Sequence, residues 1–183
     1  MSSVVLVTGL SGAGGSQAAN VFEDMGWFVI DNLPTELLDK VIDLVQAKSP
    51  SASDGGALRS PIEKVALVVR TQGVAEDLAV ALQTMRATID DVRVLFLDAS
   101  DDVLVRRYED TRRRHPRGEG TGVVDSIKSE RKSLEPLKAE ADVVIDTSDL
   151  NVHQLRDRIT DLFGHDAPQS GMQTTVMSFG YKH

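Results

Sequence analysis

The sequence predicts an α/β fold with three layers, a parallel sheet covered by helices on both faces. Five short apolar runs rich in β-branched residues alternate with stretches whose apolar residues have helical spacing. The runs are almost continuously apolar, which is typical of parallel strands buried on both faces. With 183 residues and 41% hydrophobic content, the chain suits one domain with a substantial core.

The first two strands and helices follow from local patterns. "VVLVT" is a β-branched run that ends at Gly9, and a helix is expected from Ser16 to about Met25. The second strand covers Trp27 to Ile30 and closes on Asp31, and Pro34 suits the first turn of the next helix. That helix has one apolar face, formed by Leu37, Leu38, Val41, Ile42 and Val45.

The second half of the chain repeats the alternation. "VALVVRT", "VRVLFLDAS" and "ADVVIDTS" are the third, fourth and fifth strands, and a basic helix follows the fourth. Apolar residues at helical spacing mark three further helices: Leu78, Leu82, Met85 and Ile89; Ile127, Leu134 and Leu137; and Val152, Leu155, Ile159 and Leu162.

Composition excludes several classes of function. The net charge is −8, so the chain alone is not expected to bind nucleic acid over a wide surface. The absence of cysteine excludes disulfides, thiol catalysis and thiolate metal sites. The apolar run Val4 to Val7 lacks a basic flank and is too short for a signal peptide, and no stretch approaches the ~20 apolar residues of a membrane span. We therefore expect a soluble cytoplasmic protein with no membrane partner.

The stretch "GLSGAGGS" after the first strand nearly matches the phosphate-binding pattern G-x-x-x-x-G-K-[ST], with Gly15 in place of the lysine. Glycines let backbone amides surround a phosphate, the following helix N-terminus favours negative charge, and the serine would hold Mg²⁺. The alternative is a tight turn that needs glycine for backbone reasons. The predicted phosphate-binding residues are Gly9, Leu10, Ser11, Gly12, Ala13, Gly14, Gly15 and Ser16, with Ser16 also the predicted Mg²⁺ ligand.

Polar residues at the other strand ends are expected to converge on the same crevice, because ligands of parallel sheets bind beyond the carboxyl ends of the strands. They are Asp31–Asn32, Arg70–Thr71, Asp98 and Asp146–Ser148. A metal-bound nucleotide would need at least one carboxylate near the metal. Asp31 and Asp98 are the candidate catalytic carboxylates, and either would be the base if the protein were a small-molecule kinase.

An arginine cluster precedes a Gly-rich segment. "RRYEDTRRRHPR", from Arg106 to Arg117, holds six arginines and two acidic residues. Arginine binds phosphate oxygens bidentately, so Arg112 and Arg113 are candidate catalytic cations and, with Arg114, a candidate lid. The alternative is a solvated helix face with internal ion pairs.

The chain divides into a main domain and a tail. Residues 1–165 form the predicted domain, and "SPSASDGGALRSP", residues 49–61, is a flexible insertion because the strand–helix pattern resumes after it. Residues 166–173 have the composition of a linker. Residues 174–183 begin a strand-like run with no successor, so we expect them to be the truncated start of a second, C-terminal domain.

Several of these motifs together resemble the RapZ (YvcJ-like) family of P-loop nucleotide-binding proteins. They are "GLSGAGGS", "DNLP", "LFLDASDDVLVRRYEDTRRRHP", "ADVVIDTS" and the terminal "SFGYKH", and the similarity covers nearly the whole chain apart from residues 49–61. The resemblance implies a kinase-like P-loop NTPase fold, binding of ATP and GTP with Mg²⁺, and weak NTPase activity. It also implies a second domain that begins around Thr174 and carries RNA contacts, sugar-nucleotide sensing and oligomerisation. In enterobacterial members, the whole protein is an RNA-binding adaptor.

The chain departs from the family pattern at two chemical positions. Gly15 replaces the loop lysine or arginine, and Val68 replaces the aspartate of a guanine-nucleotide motif, D-V/L-R-S/G. That motif is reduced here to Val68, Val69, Arg70 and Thr71. We therefore expect a regulatory nucleotide-binding domain with weak or impaired NTPase activity. The alternative is a non-catalytic scaffold or adaptor whose nucleotide site is degenerate and whose role lies in RNA or protein contacts.

Overall fold

The computed structural model describes residues 3–34, 37–38, 40–42, 63–70, 75–111 and 122–164. The described strands are β1 (Ser3–Gly9), β2 (Phe28–Asp31), β3 (Lys64–Val68), β4 (Asp91–Asp98) and β5 (Val143–Asp146). The described helices are α1 (Gly15–Asp24), α2 (Ala75–Thr88), α3 (Asp101–Thr111), α4 (Val123–Ala139) and α5 (Val152–Phe163).

The sheet is parallel and has the order β2-β3-β1-β4-β5, which confirms the predicted fold class. The central strand β1 is buried on both faces, because helices cover the sheet on each side, and Val4 to Val7 are all 0% exposed. Helix α1 packs on α5, while α4 packs on α2 and α3. These two groups of helices form the outer layers of the three-layer fold.

The topology places one crevice at the carboxyl edge of the sheet. Strand β1 lies between β3 and β4, with Val7 opposite Val68 and Gly9 opposite Leu97. The connection from β1 leads to β2 on one side, while the connection from β3 crosses β1 to reach β4 on the other, so the loop after Gly9 lies where the strand order reverses. This is where parallel α/β sheets bind their ligands.

Two details of the predicted elements need correction. In α5 the buried residues are Leu155, Ile159 and Phe163, which share a face because they are spaced by four. Val152 and Leu162 were expected on that face, but they are 55% and 37% exposed.

The predicted strand "VALVVRT" is also too long, because β3 ends before Arg70, at Val68. Val45, the insertion 49–61 and residues 165–183 lie outside the described residues. Within the described ranges, no helix is long and apolar enough to cross a membrane.

Candidate functional site

A cavity of about 400 Å³ opens at the carboxyl edge of the sheet. It is built by the end of β1 with the glycine loop, the end of β3, one residue of β4 and the side of α3. The lining residues are Val7 to Gly12, Gly14 to Gln17, Val68 to Arg70, Leu97, Arg107 and Tyr108. None of these side chains is acidic, so the cavity suits an anionic ligand.

The loop from Gly9 to Ser16 depends on glycine at two positions for its path. Gly9 has φ +148°, and a Cβ added there would lie 2.1 Å from the carbonyl oxygen of Leu97 on the neighbouring strand. Gly14 has φ +112° and is the N-cap of α1, with no side-chain cap. Glycine is therefore required by the backbone itself, as the turn interpretation proposed. The open helix N-terminus also agrees with a phosphate site.

The loop amides divide into two groups. The N–H of Leu10 donates to the carbonyl of Leu97 (3.1 Å), and the N–H of Ala13 donates to the carbonyl of Leu10 (2.9 Å). The N–H of Ser11 donates to Oε1 of Glu130 (3.2 Å). Leu10, Ser11 and Ala13 were predicted to bind phosphate, but their amides are already used to fold the loop. Ala13 does not line the cavity either.

The remaining amides belong to Gly12, Gly14, Gly15 and Ser16. Gln17 and Ala18 are the first residues of α1 whose N–H groups donate back to the Gly14 carbonyl. The N–H groups of Gly15 and Ser16 therefore precede the hydrogen bonds of the helix. In the part of the loop that the structure describes, these four residues supply the donors open to a ligand.

The underside of the loop is fixed by side chains from distant elements. Glu130 of α4 is 3% exposed, and its Oε1 accepts from the Ser11 hydroxyl (2.6 Å). Arg107 of α3 donates from Nη1 to the Gly12 carbonyl (3.0 Å), and the Thr147 hydroxyl lies 2.9 Å from the Ala13 carbonyl. Sequence patterns missed Glu130, since nothing local distinguishes it from other polar residues of its helix. Arg107 and Thr147 fall within the predicted arginine cluster and the predicted strand-end group, but their contacts with the loop backbone were not predicted.

Burial alters the ionisation of two of the residues beside the loop. It lowers the pKa of Arg107, although the charge of Asp146 opposes this effect. Burial also raises the pKa of Tyr108, and the charge of Glu130 adds to the rise while a hydrogen bond with Ser11 opposes it. Tyr108 is therefore a neutral phenol at the wall of the cavity at neutral pH.

A third polar group on the cavity wall is the Thr8 hydroxyl. Thr8 is 4% exposed, it lines the cavity, and its Oγ1 has no hydrogen-bond partner among the described residues. A buried hydroxyl without a partner is rare, because leaving it unpaired costs about 1–3 kcal/mol. The unpaired hydroxyl is consistent with a polar ligand or water in the cavity.

Arg70 joins two of the predicted site residues. Its Nη2 donates to the Ser16 hydroxyl (3.2 Å) and to Oδ2 of Asp31 (3.2 Å). The side chains of Arg70 and Asp31 are 44% and 40% exposed. The structure thus brings Asp31, Arg70 and Ser16 together beside the loop, as the convergence of strand ends predicted.

Asp98, a predicted candidate for the catalytic carboxylate, is not part of this cluster. Its Oδ1 accepts from Nη1 of Arg131 (2.8 Å), and its Oδ2 accepts from Nζ of Lys138. Burial alone raises the pKa of Asp98, but the hydrogen bonds and charges of Lys138 and Arg131 outweigh burial and hold the pKa below its ordinary value. Both oxygens thus hold α4 on the end of β4, and Asp98 does not line the cavity.

The remaining predicted site residues differ in whether they line the cavity. Asp146 accepts from the N–H of Ser148 (2.9 Å) and from its hydroxyl, and neither residue lines the cavity, which corrects the predicted convergence. Val68 and Val69 line the cavity. Thr71, Arg112, Arg113 and Arg114 lie outside the residues with described side chains.

Comparison with solved structures supports the fold. A shikimate kinase from Acinetobacter baumannii, solved in complex with shikimate, superposes with a TM-score of 0.59 at 17% identity. The match covers 88% of this chain and 93% of that one. With this sheet order and the glycine loop after β1, the chain has the kinase-like P-loop NTPase fold.

Comparison with sequences identifies the family. A "Nucleotide-binding protein" of Saccharopolyspora erythraea is 46% identical over 183 residues, and one of Arthrobacter sp. (strain FB24) is 45% identical over 182 residues. Each match covers 98% of this chain, but the chain spans only 59% and 56% of those relatives. The family model of the RapZ-like N-terminal domain matches residues 2–167. The chain therefore belongs to the RapZ-like family.

Proposed function

We propose that the chain binds ATP or GTP with the phosphates at the N-terminus of α1, and that it hydrolyses them weakly or not at all. The observation that carries the proposal is the preformed glycine loop, whose amides at Gly12 and Gly14 to Ser16 are left open beside the cavity. A helix N-terminus with free N–H groups favours a phosphate through both hydrogen bonds and the helix dipole.

The charge of the cavity supports the same proposal. Among the described residues, Arg70 and Arg107 line the cavity and no acidic side chain does so. This lining offers a polyphosphate neutral or positive side chains, with the nearby Asp31 paired to Arg70, although the chain carries a net charge of −8. The relatives' name, "Nucleotide-binding protein", supports this ligand class as well.

The residues beside the loop offer the oxygen ligands that Mg²⁺ prefers. Mg²⁺ is usually held by one or two protein oxygens together with substrate phosphates and water. Ser16 and Asp31 would hold it, since a hydroxyl and a carboxylate oxygen both lie 3.2 Å from the Arg70 guanidinium nitrogen. Bound there, Mg²⁺ would neutralise charge on the phosphates. No cluster of three acidic or histidine side chains occurs among the described residues, so the nucleotide itself would have to supply further ligands.

We propose weak hydrolysis because, in the described part of the chain, few groups can assist phosphoryl transfer. Catalysis of this step is mostly positioning and electrostatic stabilisation. Gly15 provides no lysine, and both carboxylate oxygens of Asp98 are used by Arg131 and Lys138. Asp31 is the carboxylate of the cluster that includes Ser16, and it is paired with Arg70.

Calorimetric titration with Mg·ATP, Mg·GTP and adenosine tests the proposal. We expect both triphosphates to bind and adenosine to bind far more weakly. Gly14→Ala should abolish triphosphate binding, because Gly14 has φ +112° and an added Cβ would lie 3.1 Å from Cδ2 of Leu155. Gly26→Ala is the matched control, since Gly26 also has positive φ (+80°) but no atom within 4 Å of an added Cβ. A native chain that binds neither triphosphate would instead favour the non-catalytic scaffold.

A further inference from the structure

A phosphate loop without its lysine lacks the point charge that normally meets the outer phosphates. Of the side chains that the structure describes, two cationic ones line the cavity, Arg70 and Arg107. The guanidinium of Arg107 is already engaged, because Nη1 donates to the Gly12 carbonyl and the Thr147 hydroxyl and Nη2 donates to the Thr147 carbonyl (2.7 Å). Its role is to fix the loop, which leaves Arg70 as the available charge in the described part of the cavity.

The backbone brings Arg70 to the loop. Beyond the end of β3, the N–H of Val69 still donates to the carbonyl of Val7 (3.0 Å), so the chain continues alongside β1 for one more residue. Arg70 follows directly, and its guanidinium reaches the Ser16 hydroxyl at the first turn of α1. The positive group therefore lies next to the amides proposed to receive phosphate.

We propose that Arg70 supplies the cation that Gly15 does not, and pairs with the phosphates of the bound nucleotide. This inference rests on the proposed function. The current partners of the guanidinium are a hydroxyl and the half-exposed carboxylate of Asp31, and both remain accessible to water. A polyphosphate is a better partner because it accepts two parallel hydrogen bonds from one guanidinium and carries more charge than a carboxylate.

The test is a double-mutant cycle between Arg70→Gln and Gly15→Lys, with ATP, GTP and inorganic tripolyphosphate as ligands. In the native background, Arg70→Gln should weaken all three by about 10–100-fold, as expected for loss of a charged hydrogen-bond donor. In the Gly15→Lys background, the same change should cost much less, because the lysine supplies the missing charge. Arg70→Lys should retain part of the affinity, since lysine keeps the positive charge but cannot donate the two parallel hydrogen bonds of a guanidinium.

The control variant is Arg156→Gln, which removes another exposed arginine from an ion pair, that with Asp24 (2.8 Å). It should leave the affinity for all three ligands unchanged. Arg70→Gln should keep the native thermal midpoint, because the side chain is 44% exposed. Full affinity of Arg70→Gln for all three ligands would overturn the inference. A loss confined to GTP would also overturn it, because Arg70 would then contact the guanine base and not the phosphates. Failure of the native chain to bind any triphosphate would overturn the proposed function itself.

Discussion

Gly15 and Val68 face each other across the gap between α1 and β3. A Cβ added to Gly15 would lie 4.0 Å from Cγ1 of Val68, which is an ordinary van der Waals distance. The family pattern has a basic residue at the first position and an aspartate at the second, so the two departures of this chain are neighbours in space. A glycine and a valine therefore lie where the family pattern has two residues of opposite charge.

This relationship predicts that an aspartate at position 68 is tolerated better when position 15 carries a lysine. Val68 is 2% exposed, so Val68→Asp alone should destabilise the fold by about 3 kcal/mol, the cost of a buried charge without a partner. Adding Gly15→Lys should recover part of the loss, with a coupling energy of about 0.5–3 kcal/mol. Urea unfolding of both single variants and the double variant measures this energy. Strictly additive effects would contradict the pairing.

The same double variant should hydrolyse nucleotide faster than the native chain. A single well-placed transition-state donor is worth about 10²–10³ in rate in comparable sites, so we expect an increase of that order. A phosphate-release assay measures it, with the native chain near background. Fast turnover by the native chain that is abolished by Ser16→Ala would contradict the prediction.

Gly9→Ala should damage the start of the loop. The new methyl group would lie 2.1 Å from the Leu97 carbonyl oxygen, and φ at this position is +148°. Forcing the neighbouring strand to yield should cost at least about 2 kcal/mol in the free energy of unfolding. Gly26→Ala is the control, because an added Cβ there meets no atom within 4 Å and only the strain of positive φ remains. It should lower the free energy of unfolding by about 1–2 kcal/mol, so the extra loss in Gly9→Ala measures the steric clash. Equal losses in thermal denaturation would show that the contact with Leu97 is unimportant.

The ion pairs of Asp98 should make the free energy of unfolding depend on pH. Its pKa in the folded protein lies below the ordinary value because Lys138 and Arg131 favour the charged form. Its contribution to stability is therefore present above about pH 4 and lost as the pH falls through its folded pKa. Asp98→Asn should cost about 1.5–3 kcal/mol at pH 7 and progressively less in acid.

The measurement for Asp98 is the free energy of unfolding of both proteins between pH 7 and the acid transition. Asp24→Asn is the control, because Asp24 pairs with Arg156 on the surface and both side chains are more than half exposed. The difference between native and Asp98→Asn proteins should shrink on acidification. A difference that stays constant with pH would rule out the charge of Asp98 as its source.

The fold was predictable because buried parallel strands have a strong sequence signature. Val4 to Val7 read as a continuous apolar run, and they form the fully buried centre of β1. The extended pattern "VALVVRT" overestimated β3, because apolar residues continue for one position after the strand ends at Val68. The apolar, β-branched pattern of a sequence indicates which residues are buried, but it does not show where the pairing between strands ends.

The site was predictable in the glycine loop and in the meeting of Asp31 and Arg70 at the strand ends, but not in the contacts that fix the loop from below. The glycine loop was found because its residues are adjacent in sequence. Glu130 was not, since it lies 119 residues from Ser11 and looks like any polar residue of an amphipathic helix. The strand-end position of Asp98 was visible in the sequence, but its partners Arg131 and Lys138 were not. Arg131 and Lys138 are spaced by seven, which places them on one helix face, and that was the available hint.

The division of the loop amides into used and open donors has a consequence for hydrogen exchange. Glu130, Arg107 and Thr147 hold the loop from elements far away in sequence, so its hydrogen-bonded amides should open only when those elements move. Without ligand, slow and fast deuterium uptake should therefore alternate over a few residues. The slow amides are those of Leu10, Ser11 and Ala13, and the fast ones those of Gly12, Gly14, Gly15 and Ser16. A bound polyphosphate should slow the fast set and leave the slow set unchanged, which would mark the ligand contacts amide by amide.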